Sequence, residues 1–285
     1  MQAALLAIGG SVLMHVTWNL LARHVDRRCN YLWWGLLAHL VIFGPWALWS
    51  LARDAHWTPV LGITLVVTAL ANTLYFLALR RAYHFAPVAL VYPVARSSPL
   101  LIALWSLWLF DERLGIWGWL GMSVSIAGLW LMGRSARGGD TAHALPWALL
   151  AALCTSIYSL SDKTAVAYLP GFASQMGFVS VGYLTSFIGL SLHQRSRHGS
   201  WRPPCRPANG YWLVGGLFVG TAYALVINAM QTLPATYAVA YTNAGIVLAA
   251  LLSMTLFGER QAWRPRLLAM TTICCGLLVM GLFGG

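Results

Sequence analysis

The sequence predicts an all-α integral membrane protein of ten transmembrane helices, arranged as two inverted five-helix repeats. Three observations carry that prediction. First, 59% of the 285 residues are hydrophobic and only 9% charged, with a mean hydropathy of +0.68; a soluble domain carries about a quarter charged residues. Second, at about 20 apolar residues per crossing, ten spans fit the chain, at 3–22, 31–51, 59–79, 87–110, 114–133, 145–168, 172–193, 211–232, 235–257 and 264–283. Third, a shift of 147 residues lays Pro87 on Pro234, Ala82 on Ala229, Arg96 on Asn243, and Leu109-Phe110-Asp111-Glu112-Arg113 on Leu256-Phe257-Gly258-Glu259-Arg260. Five spans precede the second copy, an odd number. The halves, 1–138 and 139–285, therefore face opposite ways across the bilayer.

The first span, AALLAIGGSVLMHVTWNLLA, has no basic leader and no small-residue cleavage site, so it reads as a retained helix. Its His15 and Asn19 lie four apart on one face, beside Trp18. Polar groups at that depth turn toward the protein interior, either to a solute or to another helix. A cavity-facing His15 would titrate near neutral pH and could couple to protons. Asn72 and Tyr75 add polarity to the third span, which ends in Arg80-Arg81, a topology signal or a positive rim.

The fourth span is the unusual one. Pro93 and Pro99 interrupt it, with Arg96 between them. Each proline removes a backbone donor and frees an upstream carbonyl, tolerable at membrane depth only where protein or a watery cavity satisfies it. A guanidinium there cannot deprotonate and needs an anion, a carbonyl or water. Two readings stand. Arg96 anchors a carboxylate or phosphate, with Tyr92 one turn away walling the site; or it is structural, paired with Asp162 or capping broken-helix carbonyls. Ser97 and Ser98 either join the site or bond their own helix.

The sixth span carries Tyr158, Ser161, Asp162 and Lys163. Asp162 is open to three roles: proton carrier, acceptor for a solute amine, or partner of Arg96. Lys163, near the span's end, is expected to snorkel to the interface. Spans eight and nine bring neutral polarity through Asn228, Gln231, Tyr237, Tyr241, Thr242 and Asn243, of which Tyr241 and Asn243 are the site candidates. Glu112 and Glu259 close the repeated corners and read as helix caps. Gly216 and Gly220 have the spacing that lets helices approach closely. The tryptophans, among them Trp33, Trp34, Trp46, Trp49, Trp117 and Trp119, read as interfacial belts.

Of the 18 Lys+Arg, fourteen fall on one alternating set of loops: Arg23, Arg27, Arg28, Arg80, Arg81, Arg134, Arg137, Arg195, Arg197, Arg202, Arg206, Arg260, Arg264 and Arg266. The opposite set holds Arg53 and Arg113. The positive-inside rule then puts both termini outside the cytoplasm, and it accounts for the +11 net charge without nucleic acid. The longest loop, 193–210, is basic and proline-rich. The five cysteines show no metal spacing, and free apolar-packed thiols are expected.

On these residues the chain resembles the drug/metabolite transporter superfamily, EamA-like branch, over essentially its whole length. The resemblance is carried by the two five-span halves and by LFDERLGIWGWLGMSVSIAGLWLMG with its second copy LFGERQ…AMTTICCGLLVMG. The phrases HVTWNLLAR, YFLALRRAY and VYPVARSSPLL resemble a narrower subgroup whose substrates are mostly unassigned. Inverted repeats are a signature of secondary transporters. The resemblance implies alternating access, export of amino acids or other metabolites, and a bacterial-type inner-membrane location. The charge-derived orientation departs from the family's usual cytoplasmic termini. The expected solute is small and anionic or zwitterionic, an amino acid, organic acid or phosphonate-like molecule. Alternatives are a lipid-linked carrier or flippase, and an exchanger of sugar phosphates or nucleotide sugars. No nucleotide-binding signature or nucleophile–base spacing points to an enzyme, and no cofactor or metal is called for. The expected partners are the solute and the bilayer, with a homodimer left open.

Overall fold

The computed structural model describes residues 1–22, 24–86, 88–110, 113–134, 140–256 and 263–283. Pro87, Glu112 and Glu259 lie outside the described residues. The helices are α1 (Gln2–Ala22), α2 (Tyr31–Ile42), α3 (Gly44–Asp54), α4 (Pro59–Phe85), α5 (Val88–Ala95), α6 (Ser98–Phe110), α7 (Ile116–Arg134), α8 (Thr141–Ala165), α9 (Phe172–His198), α10 (Asn209–Ala229), α11 (Ala235–Thr242), α12 (Ala244–Leu256) and α13 (Trp263–Phe283). No strand occurs among the described residues. Eight helical segments are long and apolar enough to cross a membrane, and the pair α2–α3 makes up to nine. The segment expected to cross at 87–110 is instead two short helices, so the count of ten does not follow from helix length.

Three breaks shape the spans. α2 and α3 meet at a 59° bend, because Pro45 lacks the N–H that would have bonded Val41. α5 gives way to α6 at Arg96-Ser97, between Pro93 and Pro99. α11 gives way to α12 at Asn243, with no proline nearby. Residues 88–95 map on 235–242 under the 147-residue shift, so the second and third breaks are repeat equivalents. α9 extends to His198, well past the expected end at 193. Its last turn holds Arg195, Arg197 and His198, which favour the negative helix end. Gly199 closes it at φ 69°, a left-handed conformation that glycine adopts without strain.

Two compact units are distinguished, Met1–Leu74 with Ser161–Leu233, and Tyr75–Leu160 with Pro234–Gly285. Each draws on both sequence repeats. In the first, α10 packs against α1 and α2, and α3 against α9. Gly177 of α9 makes the last contact, since a Cβ there would strike the Ala47 carbonyl. Trp33 is buried rather than interfacial, its Nε1–H donating to Ser191 Oγ at 2.8 Å; its apolar rings find a dry pocket and its single donor a partner. Cys29 and Cys205 form a disulfide across 176 residues, which corrects the expectation of free thiols. Cys154, Cys274 and Cys275 are free.

In the second unit α7 and α13 pack closely along their length. Gly121 and Gly276 face each other backbone to backbone, and Gly128 faces Ile273. Leu129, Met132, Val247, Ala269, Met270 and Ile273 form the adjoining core.

Candidate functional site

The site around Arg96 follows from where the broken helices send their backbone bonds. In an unbroken helix the Pro93 carbonyl would accept from the Ser97 N–H. That N–H turns back to the Val94 carbonyl (3.1 Å), and Ser97 Oγ donates to Pro93 O instead, at 2.9 Å. The Leu100 N–H likewise bonds Ser97 O at 3.2 Å, which frees the Arg96 carbonyl. Asn243 Nδ2 takes it up, at 3.3 Å. At the equivalent break the Asn243 N–H bonds Ala240 O, and the freed Val239 carbonyl accepts from Thr242 Oγ1 at 2.6 Å. Both breaks are thus closed by hydroxyls, and the repeat-equivalent residues Arg96 and Asn243 touch. Buried carbonyls need such partners.

The Arg96 side chain is held by neutral oxygens alone among the described residues. Its Nε and Nη2 donate to the Tyr92 hydroxyl at 2.9 and 2.7 Å. Its Nη1 donates to Thr242 Oγ1 at 3.1 Å, whose own proton is committed to Val239. The guanidinium carbon lies 5.1 Å from the Tyr92 ring centroid. Tyr75 and Tyr158, edge-to-face at 5.9 Å, are within electrostatic range of the charge, as is Tyr83. Of five guanidinium N–H groups, three are used. The Asn243 Oδ1 and Ser98 Oγ atoms are buried without a hydrogen-bond partner. A fixed cation ringed by phenols, with two N–H donors to spare, is equipped to receive an acid group.

Tyr241 is not part of this group. It packs with Tyr237 (6.0 Å) in a core with Met122, Ala240 and Met280, and Thr242 occupies the position at Arg96. Tyr83 is the third member of the i, i+4, i+8 series Tyr75, Leu79, Tyr83 on α4, and that spacing is the sequence signal for it.

Asp162, in the other unit, is fully buried. Thr68 Oγ1 donates to its Oδ1 at 2.6 Å and the Tyr223 hydroxyl donates to its Oδ2. Ser161 beside it donates to the Thr64 carbonyl. Thr64, Thr68 and Asn72 form one polar stripe on α4, and Asn72 is buried near Gly182 of α9. Lys163 finds its partners at the end of α10. Its Nζ donates to the Met230 and Leu233 carbonyls at 2.7 and 3.1 Å, because the end of α10 offers carbonyls without helical partners. The Lys163 side chain also lines a cavity of about 400 Å³ with Val166, Ala167, Leu169, Pro170, Met230 and Gln231. Asn228 bonds Gln175 at 3.1 Å.

His15, Trp18 and Asn19 are occupied within α1. Trp18 Nε1–H donates to His15 Nδ1 at 3.2 Å, and Asn19 Nδ2 donates to the His15 carbonyl at 2.7 Å. Trp18 stacks on Tyr31. Arg81 lies over the Phe85 ring. Arg80 keeps a buried Nη1 without a hydrogen-bond partner.

A many-helix apolar chain with broken helices, internal repeats and a partly buried unneutralised cation has the makings of a polytopic membrane transporter. The EamA-like transporter family model matches twice, at residues 2–134 and 143–282, and the chain belongs to that family. No curated protein matches. A solved structure described only as a protein crystal structure superposes with a TM-score of 0.76 at 22% identity, over 100% of this chain and 98% of its own. That likeness establishes the fold.

Proposed function

We propose that the chain is a secondary active transporter that exports a small anionic or zwitterionic metabolite by alternating access. The observation that carries the reading is Arg96, a permanent cation at a helix break whose described partners are all neutral. Such a charge in a low-dielectric setting is costly until an anion joins it, which makes it an anchor for a carboxylate, phosphonate or phosphate. Tyr92, Tyr75, Tyr158 and Asn243 surround or support it. Asp162, bonded to Thr68 on the α4 stripe that also carries Asn72, is the proposed acceptor for an amine within the first unit. Asp162 and His15 are groups that a coupling proton could use.

The reading includes ten crossings, with the broken α5–α6 and α2–α3 pairs each making one, in a bacterial-type inner membrane. The fourteen-to-two loop bias supports non-cytoplasmic termini. Export rests on the family resemblance.

A thermal-shift screen of purified protein against amino acids, organic acids, phosphonates and sugar phosphates tests the proposal, since a ligand of the folded state raises its melting temperature. A stabilising anion whose effect disappears in Arg96→Ala and Arg96→Lys is the expected result. A ligand that stabilises Arg96→Ala as well would make Arg96 structural.

A further inference from the structure

The connection from α9 to α10 carries more order than a topology signal needs. Residues 193–210 hold four arginines, Arg195, Arg197, Arg202 and Arg206, and no carboxylate. The rest of the first unit has three carboxylates, Asp26, Asp54 and Asp162, and each is engaged elsewhere. Asp26 is paired with Arg28 at 2.8 Å and Asp54 with Arg53 at 2.7 Å, while Asp162 is buried against Thr68 and Tyr223. The counter-ion for these arginines therefore comes from outside the unit.

One of the four is held in a fixed orientation. The Arg206 guanidinium carbon lies over the Trp212 ring at 5.0 Å from its centroid, and over that of Trp34 at 5.8 Å. These half-buried indoles meet edge-to-face at 5.9 Å. Contact with two ring faces restrains the plane of a guanidinium. Its Nη2 donates to Asn209 Oδ1, and Trp212 Nε1–H donates to the same oxygen at 3.3 Å, which restrains rotation within that plane. The backbone is pinned as well. Cys205, the preceding residue, is bonded to Cys29, and its carbonyl accepts from Trp34 Nε1–H at 3.1 Å. Of the five guanidinium N–H groups one is used, and the residue is exposed. Arg202 on the same connection makes the contrast. It closes a turn with Ser200 through its backbone, and its guanidinium has no partner among the described residues.

Trp34 and Trp212 lie in the first turns of α2 and α10, and indoles at the ends of membrane-spanning helices sit at headgroup level. An oriented arginine at that level, without an anion of its own, matches a phosphodiester, which accepts two parallel N–H bonds from the fork. We infer that Arg206, with Trp34, Trp212 and Asn209, forms a site for the headgroup phosphate of an anionic phospholipid. Arg195, Arg197 and Arg202 supply the surrounding positive field that draws such lipids in. The side chain is ordered before the lipid arrives, which lowers the entropy lost on binding. The site needs only the bilayer and does not rest on the transporter reading.

The test uses full-length, unreduced protein in uncharged detergent. It is titrated with short-chain phosphatidylglycerol or phosphatidylcholine, and bound lipid is counted by native mass spectrometry. Phosphatidylglycerol should bind at least tenfold tighter than phosphatidylcholine, whose own ammonium competes with the arginine. Arg206→Gln should weaken phosphatidylglycerol binding at least tenfold, and Arg206→Lys, which keeps the charge but not the fork, should lose most of that too. Arg202→Gln removes the same charge from the same connection and should cost about fivefold or less, the contribution of one surface cation near anionic lipid. Equal losses in Arg206→Gln and Arg202→Gln would overturn the inference, because the connection would then act as a diffuse field alone. Equal binding of the two lipids by wild type would overturn it as well. Displacement of phosphatidylglycerol by millimolar inorganic phosphate would assign the site to a soluble anion instead. Should Arg206→Gln not fold, Arg206→Lys decides: wild-type affinity in that variant would leave the stacked fork without a role.

Discussion

Replacing Asp162 by alanine should damage the first unit, by an amount that the geometry allows to be worked out. The carboxylate is fully buried and accepts one hydroxyl on each oxygen, from Thr68 and from Tyr223. Alanine removes the acceptor that both hydroxyls use. Losing each hydrogen bond to this buried carboxylate costs about 1–3 kcal/mol, so the pair amounts to roughly 2–6 kcal/mol. At about 2 °C per kcal/mol for a chain of this size, the melting temperature should fall by roughly 4–12 °C. Asparagine keeps the volume and one acceptor, and Thr68 Oγ1 can turn to accept from its amide; a loss of about 1–2 kcal/mol is expected. The assay is detergent-solubilised thermal unfolding of the two variants and of Asp162→Ala combined with Thr68→Val and Tyr223→Phe. Removing both sides of a hydrogen bond is cheaper than removing one, so the triple variant should be more stable than Asp162→Ala alone. An alanine variant that melts with wild type, or a triple variant less stable than the single, would refute the bonding scheme.

Three further outcomes are expected. Gly276→Ala places a methyl against the backbone of Ser125 and Gly121 and should destabilise by about 1–3 kcal/mol, whereas Gly62→Ala on α4 meets nothing and should be neutral or better; thermal melts decide. In unreduced, denatured protein a maleimide-PEG gel should count three thiols, and five after reduction. Both bonded cysteines lie on the arginine-rich loops, so in cells the proposed orientation exposes them to cytoplasmic reduction, and a bond permanently oxidised in cells would reverse that orientation. Asp140 Oδ1 accepts from the His143 N–H at the start of α8, and bonds from His143 hold its carboxyl below the usual value. Its contribution is therefore full above the unfolded carboxylate pKa of about 4 and fades as pH falls through the lower folded value; Asp140→Asn should flatten the low-pH part of the melting curve.

How much of this was legible varies with the range of the interaction. The break at Arg96 was readable because Pro93 and Pro99 act locally. The break at Asn243 has no proline and shows only through its 147-residue equivalence to Arg96. Gly44-Pro45 marks the α2–α3 bend in the same local language, masked by the apolar run around it. The partners of Asp162 and Lys163 come from α4 and α10, and no spacing rule reaches that far. Tyr241 and Thr242 are neighbours, and which of them faces Arg96 depends on the helical phase at a break, where the regular 100° turn is lost. Cys29 and Cys205 sit on loops of the same alternating set, so their pairing was topologically open; 176 residues of separation hid it.

The measurement that tests the account most directly is counterflow in proteoliposomes, preloaded in turn with an amino acid, an organic acid, a phosphonate and a sugar phosphate. Wild type should exchange at least one of these acids. Arg96→Ala should lose about two orders of magnitude in apparent affinity, because a bidentate charge-assisted contact is worth about 3 kcal/mol and each 1.4 kcal/mol is tenfold. Arg96→Lys should recover only part of that, since an ammonium lacks the planar fork. Exchange by Arg96→Ala at wild-type affinity would contradict the claim that Arg96 holds the acid group.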